Sequence, residues 1–340
     1  IHGTPEEITT AAYPSETQAT IVTANGEARQ YTIQPGLYRQ VSSVSDSAGN
    51  YSNGYDPQGR LTSSTDKRGV VTNHEYTASY RSATVEAVGT PQQRRTEIVR
   101  DPVSNLVAEQ RTLDASGVLK SKTTWTYNAR QQVIAIIVTD PSVTPNTTRT
   151  TTLSYCEQID VAANACPYVG LVKSVDGPRT DVADVTTFTY RMSDEATCLT
   201  SPTTCLYRKG DLWKTTNALG HVVETEKSDG AGRLLSVKDA DGVTTDFTYT
   251  LRGWLSARKL RGTNNGTETD DRVTAINYFS FGKPSRIRTI GASDAIYDYD
   301  AGHRLKAIGD NKGYFVRYTL NSAGNRLSEK VQNTTGTTTY

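Results

Sequence analysis

Tyr55-Asp56-Pro57-Gln58-Gly59-Arg60-Leu61, followed five residues past its Leu by Asp66-Lys67-Arg68-Gly69, is the stretch that decides the fold. Its first part recurs as Tyr299-Asp300-Ala301-Gly302-His303-Arg304-Leu305. Further copies are Tyr249-Thr250-Leu251-Arg252-Gly253-Trp254-Leu255 and Ser228-Asp229-Gly230-Ala231-Gly232-Arg233-Leu234, and weaker ones run Leu113 to Leu119, Tyr127 to Val133 and Asn321 to Leu327. Leu212, Leu234 and Leu255 are spaced 22 and 21 residues apart, and Leu305 and Leu327 again 22. A fixed period of this size marks a repeat architecture, in which each unit buries its apolar face only against its neighbours.

The second part of the unit is equally regular. Asp66, Asp176, Asn217, Asp239 and Asp310 each stand five residues past a Leu, and Gly69, Gly220, Gly242 and Gly313 follow three residues later in four of the cases. Asx first and Gly last is the signature of a type I turn, because the Asx side chain accepts local backbone N–H groups and Gly tolerates the positive φ at the exit. Beyond the turn, Val243, Thr245, Phe247 and Tyr249 alternate onto one face, as the two-residue period of a strand requires. The unit therefore reads as strand, Asx-Gly turn, strand ending in Tyr, and a second turn holding Gly59, Gly232 or Gly253.

Composition agrees. The 340 residues include 51 Thr and 19 Tyr against five Phe and one Met, with 26 Gly and 12 Pro as punctuation. Thr and Tyr favour pleated strands, and no stretch shows helical periodicity, so the fold class is all-β, built of tandem antiparallel hairpins. The net charge of +1, with 35% apolar and 21% charged residues, argues against an electrostatic binder of nucleic acid or membrane surfaces. The longest apolar run, Val133 to Val138, is far short of the ~18 residues of a spanning helix, so no membrane span is expected. The opening residues Ile1-His2-Gly3-Thr4-Pro5-Glu6 lack a basic flank and an apolar core of the signal-peptide kind. A start without Met suggests a piece of something longer.

The pattern Tyr-Asp-x-x-Gly-Arg-Leu with Asp-x-x-Gly five residues on resembles the YD repeat of Rhs proteins, which Tc-type insecticidal toxin shells and teneurins share. The resemblance runs from about Gly36 onward and is best at 55–76, 212–255 and 297–327. Residues 36–340 are then the repeat region, and 1–35 a degenerate repeat or N-terminal flanking segment. The resemblance implies a β-sheet strip spiralling into part of a hollow shell that encloses a C-terminal effector, commonly a toxin, until delivery. Its implied partners are that effector and secretion-machinery components of the parent protein, and its implied place is secreted or at a bacterial cell surface. The conserved core module and variable tip that follow the repeats in that family are absent from these residues. At this period the chain gives about fifteen hairpins, too few to close a shell by themselves.

Tyr155 and Tyr190 are each followed by an overlong turn, with 16 and 22 residues to the next Leu where six is usual. These insertions, 156–169 and 191–210, contain all four cysteines, Cys156 and Cys166 in the first and Cys198 and Cys205 in the second. One pair per loop suggests two local disulfides contributing roughly 2–3 kcal/mol each, and hence an oxidising compartment. Four free thiols and one shared zinc site are the alternatives, the latter weakened by the lack of Cys-x-x-Cys spacing.

Catalytic signals are scarce. The regular carboxylates are explained by their turns; Asp239-Ala240-Asp241-Gly242 is similar to the start of a calcium loop but lacks its remaining ligands. His2, His74, His221 and His303 are scattered, and no Gly-x-Ser-x-Gly, Gly-x-Gly-x-x-Gly or P-loop is present. No metal, cofactor or catalytic residue is therefore assigned. Arg60, Arg233, Arg304 and Arg326 form either a basic ladder for an acidic ligand or, more simply, charges paired with neighbouring acids. Three functions follow in order: a non-catalytic shell segment, a cell-surface recognition or carbohydrate-binding module, and an enzyme such as a polysaccharide lyase, which would need carboxylates outside the turns. Exposure of Tyr127, Tyr249 and Tyr299 separates the first two, because exposed rings would bind and covered rings would pack.

Overall fold

The computed structural model describes residues 9–339, apart from 25, 37, 79, 202–204, 264–266, 293, 323 and 334–335, and for 336–339 the backbone only. His2 lies outside the described residues.

The described residues form one antiparallel sheet of 27 strands, from Thr10–Ser15 to Gly336–Thr339. Each strand pairs with the strands that precede and follow it in sequence, so the topology is an unbroken meander. The strands Thr10–Ser15, Gln18–Val22 and Ala28–Ile33 extend this meander through the N-terminal segment that carries no clear copy of the motif.

A feature absent from the sequence reading sets the register. At each turn that follows a Tyr, the return strand carries one extra residue. Tyr55 faces Leu61 while Gly54 faces Ser63; Tyr127 faces Val133 while Thr126 faces Ala135; Tyr299 faces Leu305 while Asp298 faces Ala307. A bulge of this kind bends the strand and increases its right-handed twist, and it resets the register at the same point of each repeat. The bulge also corrects two assignments. Val172, rather than Leu171, faces Tyr155, and Arg326, rather than Leu327, occupies the place of the repeat Leu. Leu327 is then the bulged residue and is 65% exposed.

The register makes the two faces unlike. Trp125, Ile136 and Thr151 form one cross-strand row, and Tyr297, Ile308, Val316 and Val331 another, all on the face that carries the repeat tyrosines. The opposite face carries charge pairs such as Lys122–Glu109 (2.8 Å) and Lys259–Asp246 (3.5 Å). Among the described residues no layer covers either face. No Leu, Ile, Phe, Tyr or Trp among them is buried; the buried apolar residues are Ala19, Ala83, Val85, Pro167 and the four cysteines. The accessible surface is 21137 Å², whereas a compact monomer of this mass would expose about 13,600 Å². Packing is therefore lateral, hairpin against hairpin, and β-branched Thr suits a sheet whose faces are both partly wet.

Both overlong turns lie on the Tyr side, on successive hairpins. The first holds a short helix, Gln158–Ala162, which the sequence reading did not anticipate. The Asp160 carboxylate accepts the Glu157 N–H (2.8 Å), capping its first turn. The second holds a 3-10 turn at Ala196–Cys198. Cys156 is joined to Cys166 and Cys198 to Cys205, with Cα separations of 5.9 and 4.5 Å. All four cysteines are buried and, among the described residues, none is free. The thiol and zinc alternatives therefore give way to two local disulfides.

Candidate functional site

The repeated unit is built around its Tyr-side turn. In the turn 56–60 the Asp56 N–H donates to the Arg60 carbonyl (3.0 Å) and the Gly59 N–H to the Asp56 carbonyl (2.9 Å). One Asp56 carboxylate oxygen accepts the N–H groups of Gln58 (3.0 Å) and Arg60 (2.9 Å); the other accepts the Arg60 Nε (2.7 Å). Asp229 and Asp300 repeat the arrangement with Arg233 and Arg304. Burial pushes these three carboxyls up, but the backbone and guanidinium hydrogen bonds of the paired Arg outweigh it and hold each below the usual carboxylate range. The turns at Asp66, Asn217, Asp239 and Asp310 on the opposite side use the same backbone scheme. Each side chain accepts the N–H groups two and four residues on. Asn serves as well as Asp there, because only an acceptor oxygen is needed.

The exit residue adopts positive φ: +79° at Gly59, +80° at Gly69, +81° at Gly220, +76° at Gly232, +85° at Gly242, +82° at Gly253 and +92° at Gly313. In the turn 300–304 that place belongs to His303 (φ 60°) rather than Gly302, and in 128–132 to Gln131 (φ 62°). His303 stacks on Phe281 with centroids 3.9 Å apart.

Two interactions tie one hairpin to the next, and neither was legible beforehand. The first explains why the strand ends in Tyr rather than Phe. Seven repeat tyrosines donate their hydroxyl to a backbone carbonyl beside the bulge of the preceding hairpin. They are Tyr55 to Val41 (2.9 Å), Tyr76 to Leu61 (2.9 Å), Tyr127 to Val107 (2.6 Å), Tyr155 to Val133 (2.7 Å), Tyr190 to Val172 (2.7 Å), Tyr249 to Leu234 (2.8 Å) and Tyr278 to Leu255 (2.8 Å). A bulge interrupts the ladder, and the hydroxyl supplies a donor there. The second concerns the residue before the repeat Leu, which reaches forward to a carbonyl of the next Tyr-side turn. Arg60 donates to Ala78 (2.6 Å), Gln132 to Gly170 (2.8 Å) and Arg304 to Asn321 (2.8 Å); Gln40 and Lys283 donate in the same way to Gly59 and His303. Arg60 also lies over the Tyr76 ring, 4.6 Å from its centroid, and Arg233 over Tyr249 at 4.9 Å. The Arg ladder is thus internal, with Arg326 paired to Glu329 (2.5 Å).

Tyr127, Tyr249 and Tyr299 are half-buried, and the first two use their hydroxyls as clamps. His74, His221 and His303 stand on different hairpins. Glu268, Asp270 and Asp271 approach one another in the loop before the strand Arg272–Tyr278, yet Asp270 and Asp271 accept backbone N–H groups of that loop. No helix among the described residues is long and apolar enough to cross a membrane.

Residues 229–264, which span the turn at Asp229 and the clamp of Tyr249, match the family model described as RHS Repeat. No curated protein matches the chain in sequence. Among solved structures the fold aligns with the crystal structures of TcdB2-TccC3-Cdc42 (TM-score 0.60, 13% identity), TcdB2-TccC3-TEV (0.59, 12%) and TcdB2-TccC3 (0.53, 13%). The alignments cover 95%, 94% and 95% of this chain and 18% of each of those chains, so it spans less than a fifth of their length. In sequence unit, in spacing and in fold, the family that this chain resembles is the Rhs/YD-repeat family.

Proposed function

We propose that the chain is a non-catalytic length of wall in a shell that encloses a polypeptide effector of its parent protein, C-terminal to the repeats. The observation that carries this reading is the use made of the repeat residues: seven repeat tyrosines and residues such as Arg60 and Gln132 reach carbonyls of neighbouring hairpins, while Asp56 holds its own turn and Arg60 in place. A surface module would instead present its rings, and an enzyme would gather acids away from the turns. The excess accessible surface fits a strip that becomes one side of a larger container. The two disulfides favour an oxidising, extracytoplasmic setting, and thus delivery out of a bacterial cell with the help of secretion components.

The test is the parent reading frame and its product. Further Tyr-Asp units on both sides, and electron microscopy of the full-length protein showing a closed container with density inside, are the expected results. A frame that ends or enters a membrane anchor soon after Tyr340, with an open strip in the images, overturns the proposal and leaves the recognition module standing.

A further inference from the structure

The two disulfide loops differ in what surrounds their sulfurs. In the first, the acids are engaged: Glu157 pairs with Arg130 (2.5 Å), and Asp160 caps the short helix and pairs with Lys173 (2.7 Å). In the second, Glu195 has no ion pair among the described residues, and its carboxylate accepts the Leu206 N–H (2.8 Å). That carboxylate and the sulfurs of Cys198 and Cys205 all lie within 4.8 Å of one another. Among the described residues Cys156 and Cys166 share no such group with a carboxylate.

The Tyr207 carbonyl faces the same sulfurs, 3.3 Å from that of Cys198 and 3.4 Å from that of Cys205. A bridged sulfur carries no proton, so neither contact is a hydrogen bond while the disulfide stands. The Glu195 N–H donates to the Tyr207 carbonyl (3.2 Å), and this bond with the one from Leu206 fixes Glu195 beside the bridge. Both cysteines are buried and Glu195 is half-buried. Two sulfurs, a carboxylate and a carbonyl thus converge, and each can offer an electron pair. Two cysteines and a carboxylate are ligand types of zinc, and three protein ligands leave its fourth place to water.

We propose that, when this disulfide is reduced, Cys198, Cys205 and Glu195 bind a zinc ion, and that re-forming the disulfide expels it. A dithiol supplies the two electrons and two protons of the reduction and becomes a disulfide itself as the two thiols form. Zinc then binds both sulfurs as thiolates and releases their two protons to solvent. Zn–S bonds of about 2.3 Å set the sulfurs roughly 3.8 Å apart, so each moves about 1 Å from its bridged position. Two buried thiolates are costly without a cation, which the ion provides. The water in the fourth place can donate to the Tyr207 carbonyl. The ion would hold loop 191–210 closed wherever thiols stay reduced, the task the disulfide performs in an oxidising setting. A site shared by all four cysteines stays excluded, since each loop closes its own pair. The inference is independent of the shell reading.

The experiment reduces the 340-residue chain with a phosphine under nitrogen and titrates it with Co²⁺, whose tetrahedral thiolate complexes absorb in the near ultraviolet and the visible. One Co²⁺ per chain, displaced by Zn²⁺ and absent from the oxidised chain, is expected. Zn²⁺ should also restore protease resistance to 191–210 of the reduced chain and leave 156–169 cleavable. The Cys156→Ser, Cys166→Ser double variant should bind as the parent does, and the Cys198→Ser, Cys205→Ser double variant should not bind. Glu195→Gln keeps an acceptor for the Leu206 N–H, so the loop retains that bond, and should bind Zn²⁺ at least about tenfold more weakly. No thiolate absorption in the reduced parent, absorption that survives in Cys198→Ser, Cys205→Ser, or unchanged affinity in Glu195→Gln overturns the proposal.

Discussion

Replacing Tyr127 with Phe keeps the ring and removes only the hydroxyl that donates to the Val107 carbonyl at 2.6 Å. A neutral hydrogen bond contributes about 1 kcal/mol net, rising to about 2 where the abandoned carbonyl cannot be rehydrated. Tyr127 is half-buried, so water can reach the site and the lower figure applies. For a chain of this size that corresponds to a fall of about 2 °C in Tm. Locally it means roughly fivefold faster hydrogen exchange in the strands Val107–Leu113 and Leu119–Tyr127. Urea unfolding followed by emission of Trp125, two residues earlier on the same strand, gives the same quantity independently. Tyr155→Phe removes the clamp of the next hairpin, and the double variant should lose about 2 kcal/mol if the clamps act separately. Tyr318→Phe is the control, because that hydroxyl makes no such clamp among the described residues. Equal stability of Tyr127→Phe and the parent, or an equal loss in Tyr318→Phe, would refute the argument that hydroxyls rather than rings join the hairpins.

Three further outcomes are expected. Gly69→Ala, at φ +80° with open space around its Cβ, should destabilise by about 1 kcal/mol through backbone strain alone, and Gln131→Gly, at φ 62°, should stabilise by a similar amount; paired urea titrations check both signs. Reduction of the Cys198–Cys205 and Cys156–Cys166 bridges should each cost about 2.5 kcal/mol of chain-entropy stabilisation, seen as protease cleavage confined to 156–169 and 191–210 while the flanking strands stay protected. The carboxyls of Asp56, Asp229 and Asp300 lie below their unfolded values, so their contribution is complete above about pH 4 and is lost as pH falls through the folded pKa. Changing all three to Asn should therefore flatten the acid limb of a stability–pH curve, and an unchanged acid limb would show that other groups govern it.

Much of the architecture was legible because it is repeated. Asx and Gly three residues apart signal a turn by backbone chemistry alone, and the alternation ending in Tyr249 signals a strand, so the all-β hairpin array followed from residues 55–76 and 212–255. The bulge was not legible, since one extra residue at Thr62 or Ile134 leaves no compositional trace. The hydroxyl clamps were hidden for a related reason: a Tyr that packs and a Tyr that also donates look alike until the partner carbonyl is placed beside it. The helix Gln158–Ala162 is too short for periodicity to show.

Every strand forms its backbone ladder only with the strands adjacent to it in sequence, and this has a mechanical consequence. A load applied along the chain from its two ends has no distant contact through which to spread. It meets one hairpin at a time. Each unit of about 22 residues should release roughly 75 Å of contour length as it opens. The force trace should be a train of small, nearly equal steps, with two longer ones at the units that hold the insertions, where the disulfides withhold only the 10 and 7 residues they close. Such a strip yields gradually from an end, and its interior remains folded while the end is pulled away.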